Sequence, residues 1–356
     1  MIPLFKVRMA PGATKRVAEV LGSGFIGQGP QVEEFERALG EFTPHPPVSM
    51  NACTSAIHAV LMHLGVGPGD EVITTPLTCV ASNAPILAVG ARPVWADVDE
   101  CGNIAPSDVE RKLTPRTKAI IAVDWAGRRA NYRMLRSSGV PVIQDAAHGP
   151  LLLGSEGGDY VCYSFGPIKH LTCGDGGAVV TENKQSREAL RLLRWYGLDR
   201  TSSQDFRCAQ NIQQSGMKFH MNDINAAIGL ANLPDLRRAV HQHQFHAATL
   251  YEHLTPLVTM PAWSWASNYW VFPILVPGSV RDAFKHRLAE QGVMASQVHA
   301  RNDRHAAYNF PNGALPGLDF YDACHLNIPC GWWLEDEDVD KIIETVRATW
   351  RELVSS

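Results

Sequence analysis

From residue 47 onward short apolar runs alternate with helical spacing, and this alternation restricts the fold more than any other feature of the chain. Strand patterns at 48–51, 71–75 (EVITT), 92–96, 118–124 (KAIIAVD) and 140–145 (VPVIQD) are separated by helical patterns, among them 54–64, ending at Gly65, and 80–89. Parallel strands need a crossover, usually a helix, so this order predicts a largely parallel sheet covered on both faces. In such sheets ligands gather outside the carboxyl ends of the strands. The turns that follow the strands are therefore where a site is expected.

Three features lie at such ends. In Asn51-Ala52-Cys53-Thr54-Ser55 a strand turns into a helix through small residues. Free N–H groups and the helix dipole there favour an anion, and an N-cap role for Thr54 or Ser55 is compatible with that. Asp145 ends an apolar strand and is followed by Ala146-Ala147-His148. A carboxylate at that depth needs a partner, either a ligand or a helix end that it caps. The third feature is residues 159–180, DYVCYSFGPIKHLTCGDGGAVV. Apolar runs at 160–165 and 178–181 read as two strands joined by a Gly- and Pro-punctuated loop that carries Lys169, with Ser164 five residues ahead of it. Desolvation among small and apolar neighbours lowers a lysine pKa and frees the amine as a Schiff-base nucleophile; a solvated loop lysine is the alternative.

The remaining segments are less specific. Gly22, Gly24 and Gly27 form a nominal G-x-G-x-x-G, but helical spacing at 12–21 precedes them where a dinucleotide fingerprint needs a strand, and Pro30 and an acidic helix follow. A flexible loop is expected instead. Beyond the lysine loop come a helix at 184–196, an irregular polar stretch at 197–215 and a long helix running to about 255. An apolar strand at 270–276, a helix at 280–291, a strand at 294–298 and a helix at 335–352 complete a smaller α+β unit. The expected division is a large domain over 1–245, with an N-terminal arm at 1–30, and a small C-terminal domain over 246–356.

A length of 356 residues suits two domains. A net charge of -4 and a pI near 6.4 give no reason to expect binding to nucleic acid or to an anionic membrane surface. The eight cysteines are scattered without a C-x-x-C pair and read as reduced thiols. With no signal-peptide h-region in MIPLFKVRMAPG and no membrane-length apolar run, a cytoplasmic location is expected, and no metal site.

A Schiff-base lysine, a buried aspartate and a phosphate cradle on one α/β sheet are what pyridoxal 5′-phosphate requires. The segments GFIGQGPQVEEFE, NACTSAIHAVL, GVGPGDEVITTPLT, GARPVWADVD, VPVIQDAAH, YSFGPIKHLTCGDGGAVV, KFHMNDINAAIGL and IPCGWWLEDED, in that order and spacing, resemble the DegT/StrS group of fold-type-I pyridoxal-phosphate aminotransferases. That family acts on nucleotide-linked keto-sugars, and the similarity runs nearly end to end. It implies an aspartate-aminotransferase-like large domain with a mainly parallel seven-stranded sheet, and a homodimer with composite active sites.

The resemblance also implies roles. Lys169 would carry the cofactor and shuttle a proton. Asp145 would pair with the ring nitrogen, and His148 would lie near the ring. Cys53, Thr54 and Ser164, with Ser55 beside them, would hold the phosphate. Two positions depart from the family pattern. Cys79 stands where many relatives stack an aromatic ring on the cofactor, and Lys218 stands where many have an asparagine reaching the phosphate from the partner subunit. Arg194, His299 and Arg301 are candidates for a substrate pyrophosphate. The amino donor expected is glutamate, with glutamine as the alternative, and pyridoxamine 5′-phosphate between the two half-reactions. The alternatives are a non-catalytic sensor that keeps the fold, and a pyridoxal-phosphate enzyme acting on a substrate without a nucleotide. A histidine in place of the Schiff-base lysine would imply dehydration; here the lysine is present and His170 is its neighbour.

Overall fold

The computed structural model describes residues 1–149, 157–202, 205, 207–255, 257–311 and 313–355. Seven strands form the central sheet: β1 (Val48–Met50), β2 (Glu71–Thr74), β3 (Arg92–Trp95), β4 (Thr117–Val123), β5 (Val142–Ala146), β6 (Tyr160–Ser164) and β7 (Gly177–Val180). Their spatial order is β1-β7-β6-β5-β4-β2-β3. From β3 to β6 all neighbours are parallel. β7 runs antiparallel to both β6 and β1, because the lysine loop between β6 and β7 holds no crossover helix.

Alternate residues of the strands feed cores on opposite faces. Val72, Ala119, Ile121, Ile143 and Cys162 pack with the helix Cys53–His63. Ile73, Ile120, Ala122 and Val142 pack against Val109 and Leu135, from the helices Pro106–Lys112 and Tyr132–Arg136. Ile120 and Ile121 are adjacent and both fully buried, so a register slip of one residue would exchange the two cores. On the far side Ala178, Tyr163 and Val180 meet the helices Pro30–Leu39 and Asp223–Asn232.

A second, two-stranded sheet pairs β8 (Phe272–Leu275) antiparallel with β9 (His325–Ile328). Its core takes in the helices Arg281–Glu290 and Asp336–Leu353, the end of Leu236–Leu254, and Ile2 from the N-terminus, which bridges to Val293.

Two expectations need correction. The long helix to residue 255 is broken at Leu233–Asp235 into Asp223–Asn232 and Leu236–Leu254, because Pro234 cannot donate a backbone hydrogen bond. Residues 294–298 form no strand. Ser296 makes a single bridge to Asn327, and Val298 adopts a positive φ of 70°, which ends any extended run. The strand pairing with β8 is β9, which follows the helix Pro316–Cys324. Residues 197–215 are irregular as expected, with 203, 204 and 206 outside the described residues.

The glycine-rich segment is a helix junction. The helix Ala13–Ser23 ends at Gly24, and Asp223 caps the next helix from across the fold. Its carboxylate accepts the N–H groups of Gly29 (2.8 Å), Gln31 (3.2 Å) and Val32 (3.1 Å). A Cβ on residue 29 would lie 2.9 Å from that carboxylate. Asp223→Ala is expected to lower stability by about 1–2 kcal/mol, since it strips the N-terminus of Pro30–Leu39 of its anion and takes away the acceptor of the half-buried Gly29 and Gln31 N–H groups. An unchanged urea midpoint in that variant would contradict this account. No helix among the described residues is long and apolar enough to cross a membrane.

Candidate active site

The cavity at the carboxyl end of the sheet, about 260 Å³, is built from segments far apart in sequence. The start of the helix Cys53–His63 contributes Ala52, Cys53 and Thr54, the turn after β2 contributes Thr78 and Cys79, and β5 with its extension contributes Asp145, Ala147 and His148. The end of β6 supplies Ser164, the loop beyond it supplies Lys169 and Asp175, and Trp270 and His299 close the wall from the C-terminal part. Of the twelve residues singled out in the sequence, Cys53, Thr54, Cys79, Asp145, His148, Ser164, Lys169 and His299 come together here.

The other four lie elsewhere. Ser55 is on the first turn of the same helix but outside the cavity lining. Arg194 is buried and bound to Glu36 (2.5 Å) and to the carbonyl (2.8 Å) and hydroxyl (3.2 Å) of Ser49, so its charge is already used. Arg301 is likewise buried, paired with Asp303 (2.7 Å) and Asp319 (2.5 Å). Neither guanidinium reaches the cavity. Lys218 is exposed, and its carbonyl accepts the side-chain N–H of Asn51 (3.2 Å), beside the helix start.

The helix start is suited to an anion. Ala52 is extended and offers no side-chain cap, so the first-turn N–H groups have no partner within the helix. β7 crosses directly behind it. A Cβ on Gly177 would lie 2.5 Å from the Ala52 carbonyl carbon and from the Cys53 nitrogen, so only glycine permits this approach.

Asp145 is buried and neutralised by no cation in an ion pair among the described residues. Its carboxylate accepts the Ser82 hydroxyl (2.6 Å), the Ala147 N–H (3.0 Å) and the Cys53 thiol (3.7 Å). Burial raises its pKa, and these donors offset only part of that effect. The same burial, with Asp145 beside it, pushes the Cys53 thiol well above its ordinary value and keeps it neutral.

Lys169 is half-buried as a residue, yet its amine is densely surrounded. Desolvation brings its pKa down to about 8 against the opposing pull of Asp145, so a useful fraction is neutral near physiological pH. Its Nζ lies 3.9 Å from the centre of the Trp270 ring. His148 is buried and stacks on Trp270 at 3.8 Å, and its Nδ1 has no hydrogen-bond partner among the described residues. Burial, and then the charge on Lys169, holds this imidazole neutral. The His299 ring lies 5.6 Å from it, and burial lowers its pKa to about 4.

Sequence reasoning missed Ser82 and Trp270. Ser82 and Asn83 form a buried polar pair inside the otherwise apolar helix Val80–Ala88, a signal that was available. Trp270 lies in the run WVFPILV, where nothing distinguishes it from a core residue.

The residues fit pyridoxal phosphate. A nucleophilic amine suits its aldehyde, an uncapped helix start suits its phosphate, and a buried carboxylate without a cation suits a protonated ring nitrogen. The orphaned Nδ1 of His148 leaves one more polar group for a ligand in the same cavity.

Comparison with known proteins agrees with this fit. A family model described as the DegT/DnrJ/EryC1/StrS aminotransferase family matches residues 8–347. Among solved structures, AtS13 from Actinomadura melliaura is 38% identical, with 98% of each chain covered and a TM-score of 0.91. The sugar aminotransferase CalS13 from Micromonospora echinospora is 35% identical over 98% of this chain and 100% of its own, also at a TM-score of 0.91. The aminotransferase TlmJ from Streptoalloteichus hindustanus is 30% identical over 99% and 100%, at a TM-score of 0.90.

Proposed function

We propose, from the premise that this chain belongs to the DegT/DnrJ/EryC1/StrS aminotransferase family, that it moves an amino group from L-glutamate to a keto-sugar carried on a nucleoside diphosphate. As a family member it is a transaminase that depends on pyridoxal phosphate. A sugar acceptor is supported by the likeness to the sugar aminotransferase CalS13. The observation that carries the proposal is the meeting of the Lys169 amine, the Asp145 carboxylate and the uncapped helix start in one cavity. Bound pyridoxal phosphate would supply an electron sink and a carrier for the amino group.

The chain's own residues do the remaining work. Lys169 would hold the cofactor through its amine and would move the proton during amino transfer, a task suited to an amine whose pKa is near 8. Asp145, oriented by Ser82, keeps the ring nitrogen protonated. The first turn at Cys53 and Thr54, together with the Ser164 hydroxyl, binds the phosphate. Neutral His148 lines the same cavity and would lie near the ring, and His299 is the remaining substrate-side candidate.

Lys169 is the sole basic side chain other than histidine that lines the cavity among the described residues. Charge for a substrate pyrophosphate therefore comes from outside it, which favours a homodimer in which exposed Lys218 serves the partner's cavity. We place the division between the large and small domains near residue 245, within Leu236–Leu254, and the enzyme in the cytoplasm. The test is sequential. L-Glutamate alone should bleach the visible band of the purified holoenzyme, and a nucleotide-linked keto-sugar should then restore it, with two chains per particle in light scattering. Equal turnover of the free keto-sugar would sink the nucleotide part; a band indifferent to glutamate would sink the donor.

A further inference from the structure

Trp270 touches two consecutive residues of the lysine loop. Its Nε1–H donates to the Ile168 carbonyl (2.9 Å), and its ring face lies 3.9 Å from the Lys169 Nζ, well inside the range of a cation–π contact. The ring cannot swing away. It is buried, stacked on His148 at 3.8 Å and on Phe5 at 4.7 Å, and its backbone N–H is held by the Ala126 carbonyl (3.1 Å). Among the described residues Trp270 is the sole aromatic side chain of the cavity wall other than histidine, and the position where relatives are expected to offer a ring is occupied by Cys79.

We propose that Trp270 is a positioning residue for Lys169: its indole face holds the amine in the cavity, and its Nε1–H fixes the backbone of the loop that presents it. The inference rests on the reading of Lys169 as the residue that carries the cofactor. An amine that is bound and released in every cycle needs a defined place while it is free. An aromatic face supplies one that attracts the ammonium without neutralising it, as a carboxylate would. The groups that bear on the amine's charge are Asp145 from β5, His148 beyond it, Cys53 from the helix start, Cys79 from the turn after β2, His299, and the neighbouring His170, whose ring packs against His243. All of them remain when Trp270 is changed.

The experiment uses the full-length chain freed of bound pyridoxal phosphate. Acylation of Lys169 by acetic anhydride is followed across pH and read by peptide mapping, in wild type, Trp270→Leu and Trp270→Phe. Loss of the ring should move the Lys169 midpoint down by roughly half to one pH unit in Trp270→Leu, with a smaller drop in Trp270→Phe, because phenylalanine is the weaker cation–π partner. A merely structural role would lower the melting temperature and leave the midpoint in place. A midpoint equal to or above that of wild type in the folded variants overturns the proposal. Should Trp270→Leu fail to fold, Trp270→Phe alone decides. The result does not depend on whether Lys169 binds cofactor, which reduction of the wild-type holoenzyme decides separately.

Discussion

Lys169→Ala is expected to abolish the visible absorption of bound cofactor and to reduce transamination by at least roughly a thousandfold, while the chain remains folded. The size of the effect follows from the two tasks combined in one amine, covalent capture and proton transfer, each of which commonly contributes a hundredfold or more. No second primary amine lines the cavity to replace it among the described residues. Stability should change in a way that separates loss of chemistry from loss of fold. The folded-state pKa of Lys169, about 8, lies below the ordinary lysine value of 10.5, so between those values the unfolded chain binds the proton and the folded chain does not. Wild type without cofactor should therefore gain stability relative to Lys169→Ala as pH rises through that window, by up to about 3 kcal/mol in all. Urea midpoints measured across the window check this; a difference that is flat with pH would mean that the amine is solvated.

Asp145→Asn carries the second-largest expected effect, and its signature differs. The amide keeps the shape and the contact with Ser82 but cannot hold a proton on the ring nitrogen by charge. The visible band should persist, since Lys169 is intact, while kcat falls roughly a hundred- to thousandfold, on the order of other losses of a preorganised electrostatic partner. Stability of the cofactor-free chain should be unchanged or slightly higher, because the buried carboxylate has a raised pKa and no cation beside it in an ion pair. A variant within threefold of wild-type kcat would show that the ring nitrogen is held another way.

Much of this arrangement was legible in the sequence because strand ends in a parallel sheet are marked by local chemistry. Apolar runs give the strands, and the residue after each run gives the site, which is how Asp145, the 51–55 turn and Lys169 stood out before any contact was known. What the sequence conceals is distance. Arg194 and Arg301 look like free cations in one dimension, yet each is occupied by acidic partners, and for Arg194 that partner, Glu36, is remote in sequence. Trp270 reads as core because a ring that packs beside an amine and a ring that packs beside leucine leave the same local pattern. The errors in the C-terminal part have a similar cause. Residues 294–298 have the composition of a strand but lie where Val298 turns the chain, and β8 pairs with β9 instead.

The most direct measurement is reduction of the holoenzyme with borohydride followed by peptide mapping. A pyridoxyl group attached to the peptide that contains Lys169, and absent from that peptide when glutamate is added first, is the predicted result. An unmodified Lys169 in protein that has bound pyridoxal phosphate would contradict the account, whatever the enzyme's activity.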